Sequence, residues 1–194
     1  MDLSPITLEG QFVKLVPLTL EHRDALVNAA SDGKLWELWF TSVPNEERVD
    51  DYLNMAFEQQ SLGRALPFAV IDKHTDEVIG STRFCNIDSK NRRLEIGYTW
   101  YAKRFQRTGV NTDCKKLLLS YAFEILNVIA VEFRTHWHNQ ASRNAIARLG
   151  AKQDGVLRNH QIMADGCVRD TVVFSIIDGE WPMVKRSLEF KLAC

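Results

Sequence analysis

Gln106-Arg107-Thr108-Gly109-Val110-Asn111-Thr112 joins two runs of different periodicity. RRLEIGYTWY at 92–101 is typical of a strand, and TDCKKLLLSYAFEIL at 112–126 is typical of a helix covered by protein. Backbone N–H groups in a loop that opens a helix have no intrahelical acceptor and carry the positive end of the helix dipole. The loop therefore suits a phosphate or diphosphate, and Gly109 lets the backbone approach the anion closely.

Four basic residues accompany this loop and would add side-chain charge to the backbone donors. A second interpretation is equally open on spacing alone: Thr112 is an ordinary N-cap, and the basic side chains are solvated. The basic residues are Arg104, Arg107, Lys115 and Lys116.

Two well-known phosphate loops are excluded by pattern. The chain contains neither the GxxxxGKS or GxxxxGKT motif of P-loop proteins nor a GxGxxG motif after its first strand. The runs before the loop, at 66–73, 77–87 and 92–101, are joined by short turns, which predicts an antiparallel meander and disfavours a doubly wound parallel sheet.

Beyond the loop helix, the sequence predicts a strand at 130–138, a helix at 140–150 ending at Gly150, and a hairpin around Asp165-Gly166. The order of elements predicts a mixed α+β protein, a mostly antiparallel sheet with one β-helix-β unit and flanking helices, in a single domain over residues 1–194. The other predicted elements are a strand at 11–18, helices at 20–31 and 46–61, strands at 155–166 and 167–177, and a terminal helix from Trp181.

Composition narrows the class of protein. Of 194 residues, 45% are hydrophobic, and the formal net charge is -1, so no overall positive charge suggests nucleic acid or an anionic membrane as a partner. The first ten residues do not resemble a signal peptide, and no apolar run is long enough to span a membrane. The four cysteines form no CxxC pair, which favours reduced thiols in a cytoplasmic protein.

The loop and the order of elements resemble the GNAT superfamily of acyl-CoA-dependent N-acyltransferases. QRTGVNTDCK at 106–115 is similar to the family's pyrophosphate signature, in the form used by the branch of ribosomal-protein N-terminal (RimJ/RimL-type) acetyltransferases. Asn111 departs from the general signature, which has a small residue there. Further similarities to the branch are NQAS at 139–142, AIARLGA at 145–151, GVLRNH at 155–160, RDTVVFS at 169–175 and Glu180-Trp181.

The resemblance implies a GNAT fold, in which the strands before and after the loop helix splay apart around the pantetheine arm of acetyl-CoA. Asn139 resembles the asparagine that binds this arm. The implied cofactor-binding residues are Trp100, Tyr101, Gln106, Arg107, Thr108, Gly109, Val110, Asn111, Thr112, Asn139 and Ser142.

The resemblance also implies direct transfer of an acetyl group to a primary amine in a ternary complex, without a covalent enzyme intermediate. Glu95 is the candidate general base, directly or through water, and Ser142 is the candidate acid at the departing sulfur. The alternatives are a solvent-facing strand glutamate and a helix-start serine that caps or packs.

Two histidines and one cysteine suggest three other roles, which are metal binding, general base catalysis and nucleophilic catalysis. His136 and His138 are two residues apart and share a strand face, but two ligands are too few for a zinc site, so we expect no metal. His138 remains an alternative base. Cys114 lies near the start of the loop helix, where the helix dipole could lower its pKa, but a buried structural thiol is the simpler interpretation.

The sequence identifies the acceptor less clearly than it identifies the cofactor. The resemblance favours a protein or peptide α-amine, with a small-molecule amine such as an amino acid, polyamine or antibiotic as the alternative. A non-catalytic CoA-binding sensor is a third hypothesis, and the family allows a homodimer. The residues considered for the acceptor side are Trp36, Glu37, Trp39, Phe40, Tyr98, Trp100 and Asp170, most of which could equally belong to an aromatic core or be structural.

Overall fold

The computed structural model describes residues 1–163 and 165–193. Its centre is an eight-stranded mixed sheet with the strand order β1-β2-β3-β4-β5-β6-β8-β7. The pairing is antiparallel except between β5 and β6. The strands are β1 Leu8–Glu9, β2 Val13–Pro17, β3 Leu66–Asp72, β4 Val78–Asp88, β5 Arg93–Tyr101, β6 Ala130–His136, β7 Lys152–Ile162 and β8 Val168–Ile177.

Helices cover both faces of this sheet, so the core lies in two layers. The helices α3 and α5 cover one face, where their apolar sides meet Phe84, Leu94 and Phe133. The helices α1 and α2 cover the other face and pack around Ala69 and Trp100. The α-helices are α1 Arg23–Ser31, α2 Val49–Ser61, α3 Val110–Ser120, α4 Gln140–Leu149 and α5 Trp181–Ala193; a π-helical turn, Tyr121–Ile125, continues α3.

The predicted fold class and element order are confirmed, including the meander β3-β4-β5 and the single parallel pair across α3. The start of α3 was wrongly predicted, because this helix begins at Val110 with Gly109 as its N-cap. Thr112 is therefore a buried residue of the first turn rather than the cap. The two-residue strand β1 was missed because so short a segment has no periodicity to detect.

The chain before β2 is tied to α3 by one buried carboxylate. Asp113 Oδ2 accepts hydrogen bonds from the backbone N–H groups of Phe12, at 2.7 Å, and Val13, at 3.1 Å. Gly10 leaves room for this carboxylate, since a Cβ at that position would lie 2.4 Å from Asp113 Oδ2. The sheet edge and the loop helix are thus held together at the end of α3 that carries the loop.

The parallel pair β5-β6 opens into a fork. Only three rungs are paired, ending at Glu95 opposite Glu132, and the rest of β5, from Ile96 to Tyr101, has no pairing with β6. On its other side, β6 stays paired to β8 as far as His136, so it is held while β5 diverges. This leaves a wedge between two strands whose facing backbone groups are available to a ligand.

The chain ends in the predicted hairpin β7-β8 and the terminal helix α5. The strand predicted at 155–166 spans Lys152–Ile162, and Ala164, which that prediction included, lies outside the described residues. Across residues 1–163 and 165–193, none of the helices is both long and apolar enough to cross a membrane.

Candidate active site

The loop between β5 and α3 is held by its own side chains. Gln106 Nε2 donates to the backbone oxygen of Tyr101 at 3.0 Å, and Thr108 Oγ1 donates to that of Phe105 at 2.7 Å. Arg107 adopts a left-handed conformation, with φ of 62°, which is uncommon outside glycine. The side chains of Gln106 and Thr108 therefore shape the loop, and its backbone remains available to a ligand.

Five backbone N–H groups of this segment have no acceptor in the part of the chain that the structure describes. They lie in the loop and the first turn at the N-terminus of an eleven-residue helix, where the dipole adds a positive potential. A diphosphate fits such a cradle, as the sequence predicts. The five residues are Arg107, Thr108, Gly109, Asn111 and Thr112.

The predicted cluster of basic side chains is not assembled at this loop. Arg104 is paired with Glu77 and Asp32, Lys116 lies 3.7 Å from Glu189 on α5, and Lys115 is buried. Lys115 Nζ donates to Thr99 Oγ1 at 2.5 Å. Helical spacing explains the error, because three of these residues lie on different faces of their elements although they are close in sequence.

Glu95 stands at the last paired rung of the fork and is 8% exposed. Asn86 Nδ2 donates to its Oε2 at 2.7 Å, and Arg134 Nε lies 3.5 Å from the same oxygen. Burial raises the pKa of Glu95, an effect that the Asn86 hydrogen bond and the charge of Arg134 partly offset. A carboxyl group with a raised pKa at the mouth of a cleft is suited to proton transfer.

Comparison with known proteins identifies the family. The profile described as "Acetyltransferase (GNAT) domain" matches residues 13–152, which include the fork and the loop. The chain belongs to the GNAT acetyltransferase family. Among curated GNAT relatives, the uncharacterized N-acetyltransferase p20 of Bacillus licheniformis is 29% identical over 176 residues, covering 90% of this chain and 98% of that protein.

Three further comparisons concern the branch and the fold. A ribosomal protein uS5-alanine N-acetyltransferase of Escherichia coli (strain K12) is 24% identical over 130 residues, which is 66% of each chain. A GCN5-related N-acetyltransferase from Brucella melitensis has a TM-score of 0.87 and 31% identity over 96% of this chain and 85% of its own. Mycobacterium smegmatis RimJ, solved in complex with CoA-disulfide, shares the fold with a TM-score of 0.81 at 22% identity, over 97% and 96% of the two chains.

In this GNAT enzyme, Asn139 and Ser142 lie where β6 passes into α4. Asn139 Oδ1 accepts the backbone N–H of Ser142 at 3.0 Å and so caps the helix. The Ser142 side chain is half-buried, and no protein partner of its hydroxyl is found among the described residues. The capping role belongs to Asn139, and the Ser142 hydroxyl is available for other contacts.

Three further residues predicted at the cofactor have well-defined surroundings. Trp100 is buried on the α2 side of the sheet, where its Nε1 lies 3.4 Å from the Tyr52 hydroxyl. Tyr101 is buried on the α3 side and donates from its hydroxyl to Asn111 Oδ1 at 3.2 Å. The side chains of Trp100 and Tyr101 are thus engaged by protein, and what they can offer the wedge is backbone. Val110 is buried in the α3 core.

His136 and His138 take part in an aromatic cluster at the open end of β6. The Trp39 ring centroid lies 5.0 Å from that of His136 and 5.7 Å from that of His138, so the segment before α2 reaches across to the fork. His136 Nδ1 accepts the backbone N–H of His138 at 3.0 Å, and burial lowers the pKa of His136. Within the described residues, no group of three or more His, Cys, Asp or Glu could hold a metal ion.

The two buried cysteines, Cys85 and Cys114, do not have the lowered pKa of an activated thiol. Cys114 is fully buried, and burial raises its pKa, contrary to the effect of a helix dipole considered from the sequence. Burial also raises the pKa of Cys85, beside Glu95. Cys85, Cys114 and the exposed Cys167 are free, and Cys194 lies outside the described residues.

Sequence reasoning missed the residues that surround Glu95. Asn86 and Arg134 come from neighbouring strands, nine residues before Glu95 and 39 after it. Arg83, which is buried on the same side of the sheet, was also missed. No local pattern marks these three residues, because only the strand register of β4, β5 and β6 brings them together.

Proposed function

We propose that this GNAT acetyltransferase transfers the acetyl group of acetyl-CoA to a primary amine, by direct attack in a ternary complex. The observation that carries this proposal is the position of Glu95, a buried carboxyl group at the apex of a strand fork. Beside it are a loop and a helix start whose five N–H groups have no acceptor among the described residues. The site combines an anion cradle, a wedge for an extended arm and a proton acceptor.

The cofactor would be bound mainly by backbone. Arg107, Thr108, Gly109, Asn111 and Thr112 would donate their N–H groups to the diphosphate, and the free edges of β5 and β6 would bond the amide groups of the pantetheine arm. Support comes from the loop geometry and from the RimJ structure, which was solved with CoA-disulfide. Asn139 would line the far side of the wedge, where β6 ends.

In the chemical step, the neutral amine attacks the thioester carbonyl carbon, a C–N bond forms and the C–S bond breaks. The nitrogen gives up one proton to the Glu95 carboxylate, directly or through water, and the sulfur leaves as a thiolate. The Ser142 hydroxyl would donate a proton to this sulfur and be reprotonated from solvent. Glu95 then releases its proton to solvent, which balances the step.

For the acceptor, we propose a protein N-terminal α-amine. Support comes from the E. coli relative, whose name states action on an alanine of ribosomal protein uS5. The fork is open at its aromatic end, beside Trp39 and His138, both of which are exposed. A chain terminus could enter there and present its amine to Glu95.

The experiment is a measurement of CoA release from acetyl-CoA with a panel of peptides and small amines. We expect turnover by the wild type and a loss of about 100-fold or more in kcat for Glu95→Gln, with a smaller loss for Ser142→Ala. The matched controls are Glu189→Gln, which removes an ion pair between α5 and α3, and Ser61→Ala, which removes a hydrogen bond within α2; both should behave as wild type.

Two results would contradict the proposal. Failure of both CoA and acetyl-CoA to raise the midpoint of thermal unfolding would remove the cofactor assignment. Tight binding of acetyl-CoA without turnover on any acceptor would favour a CoA-binding sensor over an enzyme.

A further inference from the structure

Among the described residues, Arg83 is the largest fully buried side chain, with 1% of its surface exposed. Its guanidinium carbon lies 4.0 Å from the ring centroid of Tyr98 and 4.8 Å from that of Tyr52. The cation is therefore held between a tyrosine of β5 and a tyrosine of α2. Stacking of this kind orients the plane of a guanidinium and leaves the N–H groups at its edge available.

Two nitrogens of this guanidinium have no hydrogen-bond partner among the described residues. Nε and Nη2 are buried without a hydrogen bond, and none of the carboxylates in the described residues forms an ion pair with Arg83. A buried cation without a counter-charge costs several kcal/mol in an ordinary core. Cation–π contacts offset only part of this cost. The buried Arg83 guanidinium thus lacks an ion-pair partner among the described residues, and an anionic ligand would supply one.

The strand register places Arg83 on the same face of the sheet as Glu95, the proposed base. In the β4-β5 register, Arg83 pairs with Gly97 and Cys85 pairs with Glu95. A Cβ on Gly97 would lie 3.0 Å from Glu95 Oε1, so the Glu95 carboxyl group leans over the residue that Arg83 faces. The two side chains start from the same face of the sheet, two rungs apart, which is about 7 Å along the strand.

Tyr98, which covers Arg83, is 40% exposed and has a φ of 52°, an unusual backbone conformation for a bulky residue. This conformation coincides with a register shift between β4 and β5. The irregularity turns the Tyr98 ring onto Arg83 at the surface of the fork. On this side, the partly exposed Tyr98 ring covers the arginine.

The charges around Glu95 are unevenly paired. Arg134 contacts both Glu95 and Glu132, and Arg93 contacts Glu132. Arg83 and Arg169 have no carboxylate partner among the described residues, and Arg169 Nε is also buried without a hydrogen bond. An acceptor that brings negative charge would balance this side of the fork.

We propose that Arg83 binds an oxyanion, a carboxylate or a phosphate, carried by the acceptor amine. This inference rests on the proposed acetyl transfer and narrows its acceptor to an amine that bears an anionic group. The Arg83 guanidinium would bind the anion in its plane through two N–H groups, and the amine of the same molecule would then lie at Glu95.

The test compares acceptors in matched pairs that differ only in the anion. The pairs are an amino acid and its amide, a peptide with glutamate or glutamine in its first two positions, and an aminoalkyl phosphate and its amino alcohol. In at least one pair we expect wild-type kcat/KM to favour the anionic member by about 30-fold or more. The pair that responds distinguishes carboxylate from phosphate.

Arg83→Met should abolish this preference by raising KM for the anionic acceptor, so that the two members of the pair then react with similar kcat/KM. Arg83→Lys should retain part of the preference, since it keeps the charge and loses the planar fork. Equal kcat/KM within every pair, or a preference that persists in Arg83→Met, would overturn the inference while leaving acetyl transfer intact. If Arg83→Met does not fold, Arg83→Lys and Arg83→Gln are compared in the same way.

A binding measurement covers the case in which no acceptor turns over. With CoA saturating, so that the diphosphate loop is occupied, glutarate and inorganic phosphate are titrated into wild type and Arg83→Met by calorimetry. Binding of either anion to the wild type alone supports the inference. Absence of binding to the wild type, or equal binding to both proteins, overturns it. Failure of the proposed function itself is recognised separately, by absence of CoA release on every acceptor.

Discussion

Asn86 on β4 donates a 2.7 Å hydrogen bond to Glu95 on β5. The bond comes from an irregular part of the pair, since Asn86 has a φ of 47° and the register shifts beyond Cys85. The strand pairing would otherwise point the residue after Cys85 to the opposite face of the sheet. The irregularity thus supplies a donor that stabilises the ionised form of a buried carboxyl group.

The first prediction concerns pH. Burial raises the pKa of Glu95, and a base must be ionised to act, so kcat/KM should rise with pH through this raised pKa. Asn86→Gly removes the hydrogen bond without straining a positive φ. We expect the acidic limb of its pH profile to move to higher pH, because the ionised carboxylate loses a donor. Glu95→Gln should lose this limb, and an unchanged limb in that variant would assign the base elsewhere.

The second prediction concerns the buried Lys115. Burial lowers its pKa to about 8, so the unfolded chain binds more protons than the folded protein between about pH 8 and 10.5, and stability should rise with pH in that window. At pH 7, Lys115→Met should raise the free energy of unfolding by up to about 3 kcal/mol, less about 1 kcal/mol for the lost bond to Thr99.

The check is urea unfolding of wild type and Lys115→Met at several pH values. The gain from the substitution should shrink as the pH approaches 10.5, where the wild-type lysine is neutral in the folded protein. Lys116→Met, which alters an exposed ion pair, should change stability by less than about 1 kcal/mol at every pH. A gain that is independent of pH would assign it to packing rather than to charge.

The third prediction concerns the carboxylate that joins β2 to α3. Asp113→Ala would leave the N–H groups of Phe12 and Val13 without their acceptor, and we expect a loss of about 2–4 kcal/mol in the free energy of unfolding. Chemical denaturation measures this loss. Asp51→Ala, at an exposed position in the first turn of α2, should cost about 0.5 kcal/mol. Equal losses in the two variants would show that the buried hydrogen bonds contribute little.

The fourth prediction concerns Gly109 in the loop. Its φ of -65° is open to any residue, but a Cβ there would lie 2.7 Å from the Phe12 ring. Gly109→Ala should displace the loop and raise KM for acetyl-CoA by about 10-fold, since misplaced donors bind a diphosphate poorly. Phe12→Ala in the same chain should restore most of the affinity. Without that rescue, the glycine would be required by the ligand and not by Phe12.

Much of this fold could be predicted from local pattern. Strand-like runs joined by short turns marked the meander, and the run of helix formers from about Thr112 marked α3, because these signals depend on residues near each other along the chain. The boundaries were less accurate. Helix α3 begins two residues earlier than expected, at Val110, since Gly109 can act as N-cap without a side chain that marks it.

The candidate site could be predicted only in part. The loop at 106–112 and Glu95 were accessible to sequence reasoning, and their roles remain predictions. The expected basic cluster was wrong, because residues close in sequence point in different directions on a loop and a helix. Lys115, which was expected near a diphosphate, is buried, and its ammonium group donates to the Thr99 hydroxyl on β5.

The sequence by itself determined which segments are strands or helices, where a helix opens with free N–H groups, and the resemblance to GNAT enzymes. These properties depend on neighbours along the chain. Only the tertiary structure decided that the β5-β6 pair opens after Glu95 and that Asn86 reaches its carboxyl group. It also decided that Arg83 is buried and that its Nε and Nη2 have no hydrogen-bond partner among the described residues. The physical reason is that burial and charge pairing depend on strand register between distant segments, which no local period encodes.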